Sequence, residues 1–232
     1  MSIIIALLIF SLIVLFHEFG HFLLAKKNGI TVVEFSLGMG PRLLSFDKGG
    51  TKYSWKLLPF GGSCMMLGED EGTMEPGAFA AASVWARISV IAAGPVFNFI
   101  LAFVLSLFIM GSIGYDKPVI LQVSDGYPAA EAGLKEGDIV KKINHSNIHV
   151  AREVTNYVTF HQKQSVTMTV ERDGKDITVQ MDPVANESGR YIFGISCSSN
   201  YREKCGILGT LKYSAYEVKY WIQLTIESIK ML

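Results

Sequence analysis

Two histidines and a glutamate near the N-terminus have the spacing of a helical zinc site. The segment His17-Glu18-Phe19-Gly20-His21 separates its histidines by four residues. On an α-helix both side chains project from one face, roughly 40° apart around the axis. Zinc accepts imidazole nitrogens at about 2.1 Å, and a neighbouring carboxylate can take a proton from zinc-bound water. The spacing therefore predicts His17 and His21 as metal ligands, Zn²⁺ as cofactor and Glu18 as catalytic base.

Two alternatives to a metal site are a chance occurrence of this pattern and a buried cluster in which the three side chains only form hydrogen bonds. The surroundings favour the metal site, because residues 3–16 carry no charge and lead directly into the motif. An ionisable side chain at membrane depth costs about 3 kcal/mol on insertion scales and rarely persists there without a function.

Two apolar stretches are long enough to hold this site in a membrane. They run from Ile3 to Ala25 and from Ile88 to Ile113, and each matches the length that crosses roughly 30 Å of hydrocarbon. A cleaved signal peptide is the alternative for the first stretch, but no basic residue precedes it and no small-residue cleavage pattern closes it. Both stretches are therefore predicted as transmembrane helices.

Basic residues near the span ends predict the orientation in the membrane. Only Lys117 lies close after the second span, whereas seven basic residues lie between the spans: Lys26, Lys27, Arg42, Lys48, Lys52, Lys56 and Arg87. We therefore expect an integral protein of the cytoplasmic (inner) cell membrane, with residues 26–87 on the cytoplasmic side and the N-terminus and residues after about 112 outside. The balance of 21 basic and 21 acidic residues gives no indication of a nucleic-acid partner.

Outside the two spans, the sequence predicts several different kinds of secondary structure. Residues 31–37 and 53–58 are strand-like, with a break expected at Pro59-Phe60-Gly61-Gly62, and residues 78–87 are typical of a short interfacial helix. Residues 118–183 have the order β-α-β-α-β-β of a compact α+β module. Residues 207–232 carry five charges among apolar residues, which favours an amphipathic helix along the membrane surface.

The cysteines and the remaining polar candidates show no ligand spacing. Cys64, Cys197 and Cys205 are predicted to be unpaired, although the last two could form a disulfide outside the cytoplasm. The other histidines and one acidic run are predicted as solvated or hydrogen-bonded groups: His145, His149, His161 and Glu69-Asp70-Glu71.

Five motifs in sequence order resemble the site-2 proteases, which are membrane-embedded zinc metalloproteases, and in particular the bacterial regulator-of-sigma-E type. They are His17-Glu18-Phe19-Gly20-His21, Phe35-Ser36-Leu37-Gly38-Met39-Gly40-Pro41, Leu58-Pro59-Phe60-Gly61-Gly62, Ala93-Gly94-Pro95-Val96-Phe97-Asn98, and Pro128 to Leu134 with Gly137-Asp138. The last resembles the start of a PDZ domain, and the others resemble family motifs of the membrane region.

The resemblance implies an α-helical membrane protein with a re-entrant β-hairpin region and an extracytoplasmic α+β PDZ-like domain. It divides the chain into a first transmembrane helix (1–27), a re-entrant β region with a cytoplasmic loop (28–77), an interfacial helix with the second span (78–113), a PDZ-like domain (114–185), and a linker with an amphipathic helix (186–232).

The resemblance also implies a function. The protein would hydrolyse peptide bonds inside single-span membrane proteins within the lipid bilayer, for example an anti-sigma factor or a signal-peptide remnant. The hairpin would offer an edge strand to the substrate, with Gly61, Gly62 and Asn98 in binding or supporting roles. The PDZ-like domain would act as a size filter or bind a peptide. Gly94 and Pro95 fit close helix packing as well as an active-site role.

The family's third ligand is an aspartate in an L-D-G motif on a later span. The only Asp-Gly pairs are Asp125-Gly126 and Asp173-Gly174, and both fall in the soluble module. The third ligand is therefore expected beyond Leu232. The alternative hypothesis is a catalytically incomplete, membrane-anchored PDZ adaptor derived from such a protease.

Overall fold

The computed structural model describes residues 2–69, 73–186, 188–197 and 201–231. The chain divides into two compact units, Met1–Ala102 and Phe103–Leu232. Asp70 and Glu71, which belong to the predicted solvated acidic run, lie outside the described residues.

The two apolar stretches form the two longest helices. Helix α1 spans Ser2–Lys27 and ends with Lys26 and Lys27, where cations interact favourably with the helix dipole. Their apolar side chains are largely exposed, with Ile3 77% and Phe108 70% accessible, as expected of lipid-facing surfaces. By length and composition, Ile3–Lys27 and Val84–Ile113 are both able to cross a membrane.

The long hairpin after α1 consists of β1 (Val32–Lys48) and β2 (Thr51–Met66), joined at Gly49-Gly50. Both turn glycines have positive φ, 59° and 72°, which is the conformation that a two-residue hairpin turn requires. The central residues 34–37 have two sets of partners, residues 62–65 on one side and 52–55 on the other.

The strands continue through positions where breaks are predicted. β1 runs past Pro41, and β2 runs through Pro59-Phe60-Gly61-Gly62. Gly38 and Gly61 adopt φ values of 87° and 80°, and the pairing shifts between Leu37 and Met39. These glycines bend the strands without ending them, in the manner of β-bulges. The break that is predicted at residues 59–62 is therefore a bend within β2.

The second long helix, α2, spans Val84–Ile113 and contains Pro95. No separate helix covers residues 78–87, because residues 78–83 form turns and α2 begins at Val84. The hydroxyl of Ser83 accepts the N–H of Ala86 at 3.3 Å, so Ser83 acts as the helix cap and fixes this start.

Unit 1 is held together by aromatic packing and by a close helix crossing. Phe22 of α1 lies 5.1 Å from Phe35 and 6.0 Å from Tyr53, measured between ring centroids. A Cβ atom added to Gly20 would lie 2.6 Å from the carbonyl oxygen of Ala93. Only glycine therefore permits this backbone contact between α1 and α2.

Unit 2 is an α+β module followed by a long helix. After the end of α2 its elements are β3 (Tyr115–Asp116), β4 (Ile120–Val123), α3 (Pro128–Glu131), β5 (Ile139–Ile143), β6 (Ser146–Asn147), α4 (Ala151–Phe160), β7 (Val166–Arg172), β8 (Lys175–Met181), β9 (Val184–Ala185), β10 (Tyr191–Ile192), β11 (Ile195–Cys197), β12 (Arg202–Glu203) and α5 (Ile207–Lys230). Four strands form a sheet in the order β6-β5-β7-β8, and β11 pairs with β4. The order β-α-β-α-β-β that is predicted for residues 118–183 is present as β4, α3, β5, α4, β7 and β8, and the two-residue strand β6 is added to it.

The core of unit 2 is aliphatic and well buried. Ile120, Val140, Ile143 and Met168 are completely buried in it. Helix α5 packs on this unit through Tyr220, while Ile207 and other apolar side chains stay exposed. The predicted amphipathic helix therefore has one covered face and one open face.

Cys197 and Cys205 are both free thiols, as predicted, so the alternative of a disulfide between them is not realised. Burial raises the pKa of Cys197 to about 12.

Candidate active site

The two predicted ligands converge on one glycine of α2. A Cβ atom added to Gly94 would lie 2.5 Å from Nε2 of His17 and 2.5 Å from Nε2 of His21. The two rings are 4.8 Å apart between centroids. The spacing on α1 brings both Nε2 atoms to the same small space, and the missing side chain of Gly94 keeps that space open.

The other nitrogen of His21 is held by α2. Its Nδ1 lies 2.7 Å from the carbonyl oxygen of Val90. A carbonyl can only accept, so Nδ1 must carry the proton and donate it. The lone pair of His21 is then on Nε2, which is the arrangement typical of a metal-bound histidine with an outer-shell partner.

Asn98 fixes the second histidine. Its Nδ2 lies 3.2 Å from Nδ1 of His17, and its Oδ1 is buried without a partner. Rotating the amide by 180° exchanges two atoms of nearly equal shape and places Oδ1 as the acceptor of Nδ1–H. In this orientation Oδ1 accepts from Nδ1–H of His17, the amide N–H groups take the place that Oδ1 had, and the lone pair of His17 is on Nε2. The two histidines thus fit a metal ion, with both available lone pairs at the Gly94 gap.

Glu18 lies at the edge of the hairpin. Its Oε2 accepts the backbone N–H of Cys64 at 2.9 Å. A Cβ atom on Gly62 would be 3.6 Å from Cγ of Glu18 and 2.9 Å from the carbonyl oxygen of Ser36. Gly62 therefore allows β2 to lie close to both β1 and the carboxylate, whereas Gly61, with φ 80°, faces the side chain of Met39.

Other candidate groups do not join this site. Across residues 2–69, 73–186, 188–197 and 201–231, no group of three or more histidine, cysteine or acidic side chains is placed to hold a metal. In unit 2, the ring of His149 packs at a tilt against Tyr216, with 3.7 Å between ring centroids, and the ring of His161 stacks on Tyr157 at 4.2 Å. Both histidines are occupied by packing.

Sequence reasoning missed three contacts in the site. The Val90 carbonyl and the Cys64 N–H are backbone groups, which no residue type signals. Gly94 carries a signal in its motif, Ala93-Gly94-Pro95, but helix packing explains the same residues. Its contact with both histidines appears only once α1 and α2 are placed together.

Comparison with known proteins gives a family and several relatives. Peptidase family M50 matches residues 5–232. A candidate zinc metalloprotease of Clostridium acetobutylicum is 34% identical over 232 residues, which is 100% of this chain and 68% of the relative. Regulator of sigma-W protease RasP of Bacillus subtilis is 28% identical over 293 residues, covering 90% of this chain and 69% of RasP. In a solved structure, the PDZ domain of the SdrC-like protein of Listeria monocytogenes overlaps 35% of this chain and 87% of its own, with 21% identity and a TM-score of 0.32.

The match to the peptidase family covers nearly the whole chain, including α1 with its two convergent histidines, the hairpin and α2. The chain therefore belongs to Peptidase family M50, the site-2 protease family that its motifs resemble.

Proposed function

We propose that this chain carries the metal-binding helix and the catalytic base of an intramembrane zinc metalloprotease. Its substrates would be single-span membrane proteins, such as an anti-sigma factor or a signal-peptide remnant. The observation that carries the proposal is the convergence of His17 Nε2 and His21 Nε2 on Gly94, on a helix long enough to cross a membrane. The relatives named as zinc metalloproteases support Zn²⁺ as the ion.

The side chains have separate roles in this proposal. His17 and His21 would hold Zn²⁺ through Nε2, and a further ligand would come from outside the described residues. When bound, zinc supplies Lewis acidity and lowers the pKa of coordinated water to about 7. Glu18 takes a proton from the attacking water on Oε1 and passes it to the nitrogen of the leaving amine. The Cys64 N–H holds Oε2 and so orients the carboxylate.

The substrate would bind as an added strand along residues 62–66. This segment pairs with residues 34–37 on one side, and Cys64 directs its N–H away from that pairing toward Glu18. An unwound substrate segment in a membrane must hydrogen-bond its backbone, and strand addition supplies those bonds. Gly61 and Gly62 would allow the substrate backbone to approach the carboxylate.

The basic residues between the two spans support the proposed orientation. Residues 26–87 would lie on the cytoplasmic side of the cell membrane, with the N-terminus and unit 2 outside. The hairpin would enter the bilayer from the cytoplasmic side, because exposed apolar side chains such as Leu57 and Leu58 cover it.

Unit 2 would act as a PDZ-like gate. A cavity of about 510 Å³ lies between α4 and β11 and is lined by Val154, Val158 and Ile195, with Arg190 also in its wall. An extended peptide fits such a groove by pairing with the free edge of β11. Its occupation would control which substrates reach the membrane site.

Zinc content tests the metal site directly. The chain is purified from membranes, loosely bound metal is removed, and zinc is measured per chain for wild type, His21→Ala and His161→Ala. We expect metal in wild type and in His161→Ala, because the ring of His161 stacks on Tyr157 within unit 2, and loss of metal in His21→Ala. Equal zinc in all three chains would contradict the assignment.

The alternative is a membrane-anchored PDZ adaptor without catalysis. It is favoured by one observation, which is that in the described parts of the chain only two histidines converge and no larger ligand group forms. Cleavage of a single-span reporter protein in the same membranes separates the two functions. An adaptor would bind the reporter without cleaving it, and Glu18→Gln would then change nothing.

A further inference from the structure

A groove on unit 1 is lined almost entirely by apolar side chains. It has a volume of about 440 Å³ and lies between Leu15 of α1 and one face of the hairpin. Leu44, Phe46 and Trp55 line it, yet they remain 67%, 62% and 52% exposed. In water such a surface is unfavourable by roughly 25 cal/mol per Å², so an apolar occupant would stabilise it.

A second cavity of about 560 Å³ begins where the groove ends. The two share Phe46 and Tyr53, whose rings stack at 5.2 Å. The second cavity adds two lysines, Lys26 from the end of α1 and Lys48 beside the hairpin turn. Lys26 donates through Nζ to the carbonyl oxygen of Gly49 at 3.0 Å, which fixes one ammonium group at the cavity.

Strand geometry explains why the surface changes from apolar to basic. Side chains two residues apart on a strand share a face, so Leu44, Phe46 and Lys48 form one row, and Asp47 points to the other face. Leu44 is paired with Trp55, and Phe46 with Tyr53. The row therefore runs from hydrocarbon-like to cationic over about 13 Å.

An apolar groove that leads into a cavity with two lysines fits a molecule with a hydrocarbon chain and an anionic head group. We propose that the joined cavities bind an anionic phospholipid, with an acyl chain along Leu44 and Trp55 and the phosphate between Lys26 and Lys48. The site needs only that α1 lies in a bilayer, as proposed above, and it is independent of zinc and of proteolysis. Lys26 also ends the apolar run of α1, at the depth where lipid head groups lie.

Quenching of Trp55 fluorescence tests this site. The chain has three tryptophans, so Trp85→Phe/Trp221→Phe leaves Trp55 as the reporter. The full chain is reconstituted in zwitterionic bilayers that contain a small fraction of phosphatidylglycerol or of phosphatidylcholine with the same brominated acyl chains. We expect the anionic lipid to quench Trp55 at several-fold lower mole fraction, and Lys48→Ala to reduce that preference about fivefold.

Two controls keep the result interpretable. Lys56→Ala changes a lysine of β2, the strand that carries Trp55, and Lys56 lines neither cavity, so this variant should preserve the preference. Trp55→Phe/Trp221→Phe leaves Trp85, which is exposed at the start of α2, and both lipids should quench it equally. Equal quenching of Trp55 by both lipids, or an unchanged preference in Lys48→Ala, would overturn the proposal. Absence of all quenching, from Trp85 as well, would instead contradict membrane insertion itself.

Discussion

The carboxylate of Glu18 is held through Oε2 by the Cys64 N–H, and its Oε1 has no hydrogen-bond partner among the residues that the structure describes. Glu18→Gln keeps the size and shape of the side chain but cannot accept a proton, so we expect cleavage to fall by about 10²- to 10⁴-fold. Zinc content should stay at the wild-type level. The measurement is reporter cleavage in membranes, with Glu136→Gln, an exposed position in unit 2, as control. Near-normal cleavage by Glu18→Gln would remove the residue from this role.

Gly94 is predicted to control access of the metal to both histidines. Gly94→Ala would put a methyl group 2.5 Å from each Nε2, so the chain should bind much less zinc. Gly111→Ala is the matched control on the same helix, because its new methyl group would meet only Thr210 at 3.8 Å. Zinc measured per purified chain distinguishes them, and equal loss in both variants would mean that α2 has been disturbed generally.

Asn98 is predicted to act through His17 rather than on the metal. Asn98→Leu removes the acceptor for Nδ1–H and should weaken zinc affinity about 10- to 100-fold, the usual effect of losing an outer-shell partner. Asn98→Asp retains an oxygen at this position and should keep more of the affinity. Competition with a coloured chelator measures both, and the idea fails if Asp and Leu weaken binding equally.

Only the part of the site that lies on one helix, α1, could be predicted from the sequence. His17, Glu18 and His21 are related by helical periodicity alone, so their spacing suffices. The partners of these side chains come from α2 and β2, more than forty residues away, and two of them are backbone atoms. No local pattern encodes such contacts.

Among the elements, the helices of unit 2 and its strands β4, β5, β7 and β8 follow the predicted order, whereas the hairpin of unit 1 does not follow its sequence pattern. Proline and glycine usually end strands, yet β1 and β2 continue past Pro41 and Pro59. Cross-strand pairs stand on both sides of each proline, Leu37 with Gly62, Met39 with Leu58 and Arg42 with Lys56, and they outweigh the local preference. This compensation depends on strand segments that are distant in sequence, so it could not be foreseen.

The sheet of unit 2 contains a buried ion pair with a predictable pH dependence. Asp138 is almost completely buried and accepts from Nε of Arg172 at 2.7 Å. Burial alone would raise the pKa of Asp138, but the hydrogen bonds from Arg172 and from the Lys135 N–H hold it below its ordinary value of 3.8. The unfolded chain therefore binds this proton first as the pH falls.

This pair should stabilise unit 2 fully above about pH 5 and progressively less as the pH falls through 3.8 toward the lower folded pKa. Arg172→Met should lower the midpoint of thermal unfolding at neutral pH, and Asp138→Asn should flatten the acid dependence. Lys175→Met, at an exposed position, serves as control. An identical acid dependence in wild type and Asp138→Asn would contradict this account.

At the scale of the whole molecule, Arg152 ties the two ends of unit 2 together. Its guanidinium contacts Asp116 of β3 at 3.0 Å and Glu217 of α5 at 2.6 Å, and it lies 5.2 Å from the ring of Tyr220. Asp116 is completely buried. Arg152 therefore links β3, which follows α2, to α5.

Arg152→Met should leave Asp116 buried without its charge partner and destabilise unit 2 by about 3–5 kcal/mol. Hydrogen exchange should rise first in α5 and β3. Arg152→Met/Asp116→Asn should recover part of the loss, and Lys142→Met, at an exposed position, should have little effect. If exchange in α5 stays at the wild-type rate, the helix is held by its aromatic contacts alone.

The hydrogen bond between the Cys64 N–H and Glu18 would also determine the positions at which a substrate can be cleaved. If a substrate peptide binds along residues 62–66 as proposed, the backbone of β2, and not a side-chain pocket, would set the place where it meets Glu18. Sliding the peptide by one residue would turn every side chain to the opposite face, whereas sliding by two restores the same faces. The hairpin would therefore allow binding registers that differ by two residues. Secondary cuts in a substrate should fall two residues from the main one.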